Sequence, residues 1–406
     1  MSDIVPRVFV THRRFALTVW ALMAALNIAA AFVITTWPER QTDLDTIQRW
    51  TGLWLLRGDD IYATDWDYPD YPPHAIVLLL PLGALSLEWG VRSWALINLA
   101  LAVVAPFLAL RHVRPDLSPS QAALPVLMLL CWSGSRTFLQ FTLLALVSGL
   151  ASAVLADRRP MWSGVCLGLA LMKPQIAAPF VVWALLARRW NVLGVALAVV
   201  VAGFGVYSVR AAVDPFDVVR NYAAILRYLY SGEAIMLGLA QLRPAFQLVA
   251  DEPSMVDAMS LAAAACLLAA ICGVAWRERY LNERSRLAAP PMVALWSLLT
   301  FYHLTYGFIL LYPLAARLLL AEFPGTQVFR RRLFWSLQLG MMFDVPGWSA
   351  RLTPLLSVSD RVGILLSHFD RAFMLALFMA TGLLAIATAR ASPGRAPVPP
   401  LTEPAK

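Results

Sequence analysis

The sequence predicts an all-α integral membrane protein: a bundle of about 10–12 transmembrane helices with broken or re-entrant segments and a large first outer loop. Three observations predict it. The 406 residues are 60% hydrophobic and 14% charged, with mean hydropathy +0.65, whereas an ordinary soluble domain is about 25% charged. Apolar stretches recur from end to end, from "FALTVWALMAALNIAAAFVITTW" through "WALINLALAVVAPFLAL", "FTLLALVSGLASAVLA" and "VLGVALAVVVAGFGV" to "MSLAAAACLLAAICGVAW". Arginine clusters punctuate them. No separate soluble domain fits between, so residues 1–390 read as one polytopic domain and 391–406, "ASPGRAPVPPLTEPAK", as a disordered cytoplasmic tail.

The first stretch follows "HRR", but it is long for the apolar region of a signal peptide and no small-residue cleavage site succeeds it. It reads as a retained first helix. The segment 37–72, "WPERQTDLDTIQRWTGLWLLRGDDIYATDWDYPDYP", holds eight of the 25 acids against three arginines. It is therefore placed outside, as the first periplasmic loop, while "HRR", "DRR" (157–159), "ARRW" (187–190), "RERYLNERSR" (277–286) and "FRRR" (329–332) are placed in the cytoplasm. The net charge of +8 thus reads as topology, and no nucleic-acid partner is implied. "RHVRPDL" (111–117) is the exception that parity sends outward, so the 111–140 region is expected to hold a re-entrant helix.

Both ends of the span between "DRR" and "ARRW" require the cytoplasm. Two short limbs, "MWSGVCLGLALM" and "IAAPFVVWALLA", solve the parity if they rise and return around "KPQ". Proline disfavours helix at Lys173 and removes a hydrogen bond after it. A second outer loop is expected at 211–234, "AAVDPFDVVRNYAAILRYLYSGEA", and a further out-and-back turn around "FYHLTY". Cys131, Cys166, Cys266 and Cys272 lie in apolar segments without metal-ligand spacing and read as small core residues. No metal or cofactor is predicted.

Of the 33 basic residues, all but Lys173 and Lys406 are arginine. A lysine at membrane depth costs roughly 2.5–3.5 kcal/mol even on insertion scales. A point cation at a helix break facing a wet cavity suits a phosphate oxygen, with Gln175 adding donors beside it. The plainer alternative is a snorkelling lysine or one paired with a buried acid. Asp43 and Asp45, at the start of the first outer loop, are candidates to take a proton from a hydroxyl; solvated or helix-capping acids are the alternative. "RGDDIYATDWDYPDYPPH" alternates acids with aromatics, a composition suited to sugars; Asp60, Tyr62, Tyr71 and His74 are its candidate cavity residues. Gln140 and Arg136 at an expected outer turn, and His303 with Tyr306 in "FYHLTY", complete the set. Arg220 and Arg227 can guide an anionic head group, or belong to an interfacial belt. No Ser-His-Asp order, zincin motif, Walker A motif or dinucleotide fingerprint is present.

The succession "TDLD", "RGDDIY", "YPPHAIVLLLPLGAL", "LGLALMKPQIAAPFVVWALLARRW" and "LLTFYHLTYGFILLYPL" resembles the membrane glycosyltransferases of family 87, also called DUF2029 proteins. The resemblance implies a GT-C fold with its active site opening to the outer side of a bacterial inner membrane. It implies inverting transfer from a polyprenyl-phosphate sugar, mannose being the first expectation, to a lipid or glycan acceptor. A loop Asp would be the general base, at Asp43 or Asp45 with Asp43 favoured. Lys173 would meet the donor phosphate and His303 would line the cavity. The competing class is a transporter or flippase for a lipid-linked glycan, which would also use broken helices. One strong intramembrane charge and a large asymmetric outer loop fit it less well.

Overall fold

The computed structural model describes residues 13–35, 43–63, 69–132, 140–230, 241–247, 249–278, 289–301, 305–320, 327–342 and 371–384. The tail 391–406, Arg136 and His303 lie outside them. Among the described residues the secondary structure is helical, with no strand, and the protein is an all-α membrane protein.

In chain order the helices are α1 (Arg13–Thr35), α2 (Asp43–Gly52), α3 (Pro73–Leu78), α4 (Leu80–Gly83), α5 (Leu87–Val113), α6 (Pro119–Leu130), α7 (Thr142–Leu155), α8 (Pro160–Ala170), α9 (Pro174–Leu186), α10 (Trp190–Ala211) and α11 (Pro215–Tyr230). They continue with α12 (Arg243–Phe246), α13 (Pro253–Glu278), α14 (Ala289–Thr300), α15 (Tyr312–Leu320), α16 (Gln327–Met342) and α17 (Arg371–Leu384). Three of them, α5, α10 and α13, are long and apolar enough to cross a membrane alone. Shorter apolar helices supply the rest. At about 1.5 Å per residue the 12 residues of α6 reach only about 18 Å of a roughly 30 Å hydrocarbon layer. It begins in a capping box, Ser118 with Gln121, in the region where a re-entrant helix is expected.

The two segments expected outside carry helices of their own. In α2 the buried side chains are Leu44, Ile47, Trp50 and Thr51, a stripe at helical spacing that packs inward while Arg49 faces out. A π-helical turn, Leu53–Arg57, continues it, and Gly58 at φ 79° closes it. In α11, Val218 and Ile225 are buried while Phe216 is 84% exposed, again a one-sided pattern.

The chain breaks at Lys173. Helix α8 stops at Ala170 and α9 starts at Pro174, with Lys173 between them at φ −122°, ψ 89°, the extended conformation a following proline enforces. The Lys173 carbonyl accepts the amides of Ile176 at 2.9 Å and Ala177 at 3.0 Å, so the broken backbone is satisfied where water is scarce. Helix α8 is fixed on both sides. A Cβ on Gly164 would come within 2.5 Å of Val195 Cβ, and one on Gly168 within 2.6 Å of Val199 Cβ, the close approach that a small-xxx-small pattern permits between membrane helices. Ser163 Oγ donates to the Ser152 carbonyl at 2.8 Å, joining α8 to α7. Farther off, Trp132 donates to Gln338 Oε1 at 2.8 Å, and Gln338 donates to the Met128 carbonyl at 2.9 Å, tying α16 to α6.

Candidate active site

The break delivers Lys173 to the first residue of α2. Its ammonium donates to Asp43 Oδ2 at 3.2 Å, to Gln140 Oε1 at 2.6 Å and to Thr142 Oγ1 at 3.4 Å. Gln140 Nε2 donates in turn to Asp43 Oδ1 at 2.6 Å, and the Tyr71 hydroxyl donates to Asp43 Oδ2. One amide therefore spans cation and carboxylate. Only one orientation serves both, because the ammonium needs an acceptor and the carboxylate a donor. Lys173 is 4% exposed, while the Asp43 side chain keeps 20% of its surface open. The carboxylate is thus the accessible end of the pair.

Tyr71 is held from three directions. Its carbonyl accepts the Tyr62 hydroxyl at 2.6 Å, and its ring meets Trp50 and Phe141 edge to face at 6.4 and 5.9 Å. Lys173 Nζ lies 5.1 Å from the ring centre, within cation–π range. Asp60 accepts the Tyr207 hydroxyl at 3.0 Å and the Tyr62 amide at 3.1 Å. Asp60 and Tyr62 therefore brace Tyr71.

Asp70 sits at the rim, keeping surface exposed to solvent while protein crowds its inner side. Its carboxyl is pushed up to about 6, chiefly by desolvation and further by the charge of Asp43; Lys173 and a backbone hydrogen bond oppose the shift. Asp70 and Thr142 are the members that the sequence reading did not single out. Asp70 stands among many acids in "DWDYPDYPPH", and Thr142 carries no motif; its place two residues after Gln140 was the available signal.

The other candidates fall elsewhere. Asp45 is two residues from Asp43, about 200° around the helix, and among the described residues Asp43 is the acid that Lys173 contacts directly. Gln175 lies in the first turn of α9, where its carbonyl accepts Ser297 Oγ at 2.8 Å. His74 is buried, stacked on Phe204 at 6.0 Å, with neither ring nitrogen hydrogen-bonded among the described residues. It borders an apolar cleft of about 410 Å³ shared with Pro72, Pro174, Leu197, Phe204 and Tyr222. Two of these residues, Pro72 and Pro174, directly follow Tyr71 and Lys173 in the chain. Of Tyr306 the backbone is described, in a 3-10 turn over Thr305–Leu311. Arg220 pairs with Asp217 at 2.8 Å on α11, and Arg227 lies in the last turn of that helix.

A family model, glycosyltransferase family 87, matches residues 68–305, more than half of the chain. The chain belongs to glycosyltransferase family 87. Four residues of this family 87 site, Tyr71, Gln140, Thr142 and Lys173, fall inside the matched span, as does Asp70; Asp43 lies upstream of it. Over 218 residues the chain is 30% identical to an alpha-(1->3)-arabinofuranosyltransferase of Mycobacterium tuberculosis, in strains CDC 1551 / Oshkosh and ATCC 25618 / H37Rv. That alignment covers 51% of this chain and 49% of each relative, so the chain spans about half the length of the curated relatives it matches. No solved structure matches it.

Proposed function

We propose that this family 87 protein transfers a sugar from a polyprenyl-phosphate donor to a hydroxyl of a lipid or glycan acceptor, with inversion at the anomeric carbon. The observation that carries the reading is the junction of Asp43 and Lys173 through Gln140. Such a reaction needs a base for the incoming hydroxyl and a positive charge for the departing phosphate, a few ångströms apart in a site with restricted water. Asp43 accepts the proton of the acceptor hydroxyl. The acceptor oxygen attacks the anomeric carbon as the bond to the phosphate oxygen breaks, and that oxygen keeps the electron pair. Lys173, with three N–H donors, stabilises the charge that develops there. Tyr71 and Gln140 hold the carboxylate in place.

The apolar cleft lined by Pro72 and Pro174, the chain neighbours of Tyr71 and Lys173, supports a donor whose phosphate is joined to a hydrocarbon chain, since it offers apolar surface one residue along from the proposed phosphate ligand. We assign the site to the outer side of a bacterial inner membrane, on the distribution of arginines. For the sugar, the family resemblance points to mannose, and the activity for which the mycobacterial relatives are named points to arabinofuranose. Membranes containing the protein, supplied in parallel with radiolabelled polyprenyl-phosphate mannose and polyprenyl-phosphate arabinofuranose, distinguish them. Label reaching a lipid or glycan product from one donor supports the reading and names the sugar. Transfer from a nucleotide sugar, with neither lipid donor used, overturns it.

A further inference from the structure

The ammonium of Lys173 has three hydrogens, and among the described residues it meets the acceptors Asp43 Oδ2, Gln140 Oε1 and Thr142 Oγ1. A donor phosphate that uses this cation must therefore displace one of them. The bond to Gln140 is short, at 2.6 Å, and that amide is anchored at its other end on Asp43. The bond to Asp43, at 3.2 Å, joins the cation to an anion, and an arriving phosphate is a second anion of the same kind. Asp43 Oδ2 meanwhile carries two donors, Lys173 and Tyr71, so both of its lone pairs are engaged. A carboxylate so bound is poorly placed to accept a proton.

We propose that Lys173 is shared between the base and the donor: in the empty site it holds Asp43, and the donor phosphate draws it away, freeing a lone pair on Oδ2 for the proton of the acceptor hydroxyl. The donor thereby switches on the base. Binding becomes ordered, donor first, and an acceptor alone is not deprotonated. Gln140 is the positioning residue of the exchange, because it contacts both partners and can follow the ammonium while still donating to Asp43 Oδ1. The idea rests on the assignment of Lys173 to the donor phosphate.

It has an unusual consequence. Removing the charge of the base should tighten binding of the leaving group, because Asp43 no longer competes for the ammonium. The test is the affinity of sugar-free polyprenyl phosphate, in mixed micelles, for the full-length purified protein, its Asp43→Asn and Lys173→Ala variants and the double variant. The expected result is binding about tenfold tighter in Asp43→Asn, a scale typical of coupling between contacting groups, weaker binding in Lys173→Ala, and no gain from Asp43→Asn once Lys173 is gone. Lys173→Gln, which keeps a polar side chain at the break, repeats the comparison if Lys173→Ala fails to fold. An equal gain in both backgrounds means simple repulsion between Asp43 and phosphate and overturns the exchange. Unchanged or weaker binding in Asp43→Asn overturns it as well. Binding that is indifferent to Lys173, or absent from all four proteins, rejects the phosphate assignment itself.

Discussion

Lys173 and Asp43, 130 residues apart in the chain, meet at 3.2 Å with one amide, Gln140, bonded to both. A buried cation that looks costly in the sequence is thereby paired, yet its partner remains partly open. Removing one partner of such a pair leaves an uncompensated charge, so Lys173→Ala costs stability as well as activity. Lys173→Ala is expected to lower transfer roughly 10²–10³-fold, the scale of losing one preorganised stabiliser of developing charge. Initial rates at matched protein abundance check this.

Tyr71 offers a finer test. Tyr71→Phe keeps the ring against Trp50 and Phe141 and removes only the hydroxyl that donates to Asp43. The expected loss is about tenfold in kcat, the worth of one hydrogen bond to a charged group, with donor KM nearly unchanged. Steady-state kinetics with donor varied separates the two.

Asp70 gives a pH dependence. Its folded carboxyl titrates at about 6 against an ordinary 3.8, so between these values the folded state holds more proton than the unfolded one. Stability from this group is then present below the ordinary value and is lost as pH rises through about 6. Thermal unfolding in detergent from pH 4 to pH 7 should show the wild type losing Tm relative to Asp70→Asn across that window. A difference that is flat with pH would contradict the shift.

The seam between α8 and α10 has no room for side chains at Gly164 and Gly168. Gly164→Val is expected to destabilise by about 1–3 kcal/mol through overpacking, and to reduce activity by moving the break that carries Lys173. Unfolding temperature and transfer rate should fall together.

Much of this was legible in the sequence. "MKPQI" announces the break because proline restricts the residue before it, and the structure interrupts the helix at Lys173. The overall class followed from composition. What was not legible is mostly long-range. Nothing local says that Asp43 and Gln140 converge on Lys173, or that Thr142 joins them. The resemblance favoured Asp43 over Asp45, but the helical turn of α2, which separates the two positions by about 200°, was not legible, because their segment was read as loop where acids dominated the pattern. The same happened in α11, where Val218 and Ile225 make an inward stripe inside a segment read by its charges. Asp60 and Tyr62, expected as sugar contacts, also hydrogen-bond within the protein around Tyr71; acids and tyrosines serve as ligands and as props alike, so the sequence pattern alone does not show this second role.

Asp43 is the proposed base of sugar transfer. The most direct measurement is the initial rate of transfer from the polyprenyl-phosphate donor that the wild type uses, comparing wild type, Asp43→Asn and Asp45→Asn at equal abundance in membranes. The expected result is a fall of roughly 10²–10⁴-fold for Asp43→Asn and a change within about threefold for Asp45→Asn, which lies about 200° around the helix from Asp43. Activity that survives Asp43→Asn, or that disappears with Asp45→Asn instead, would contradict it.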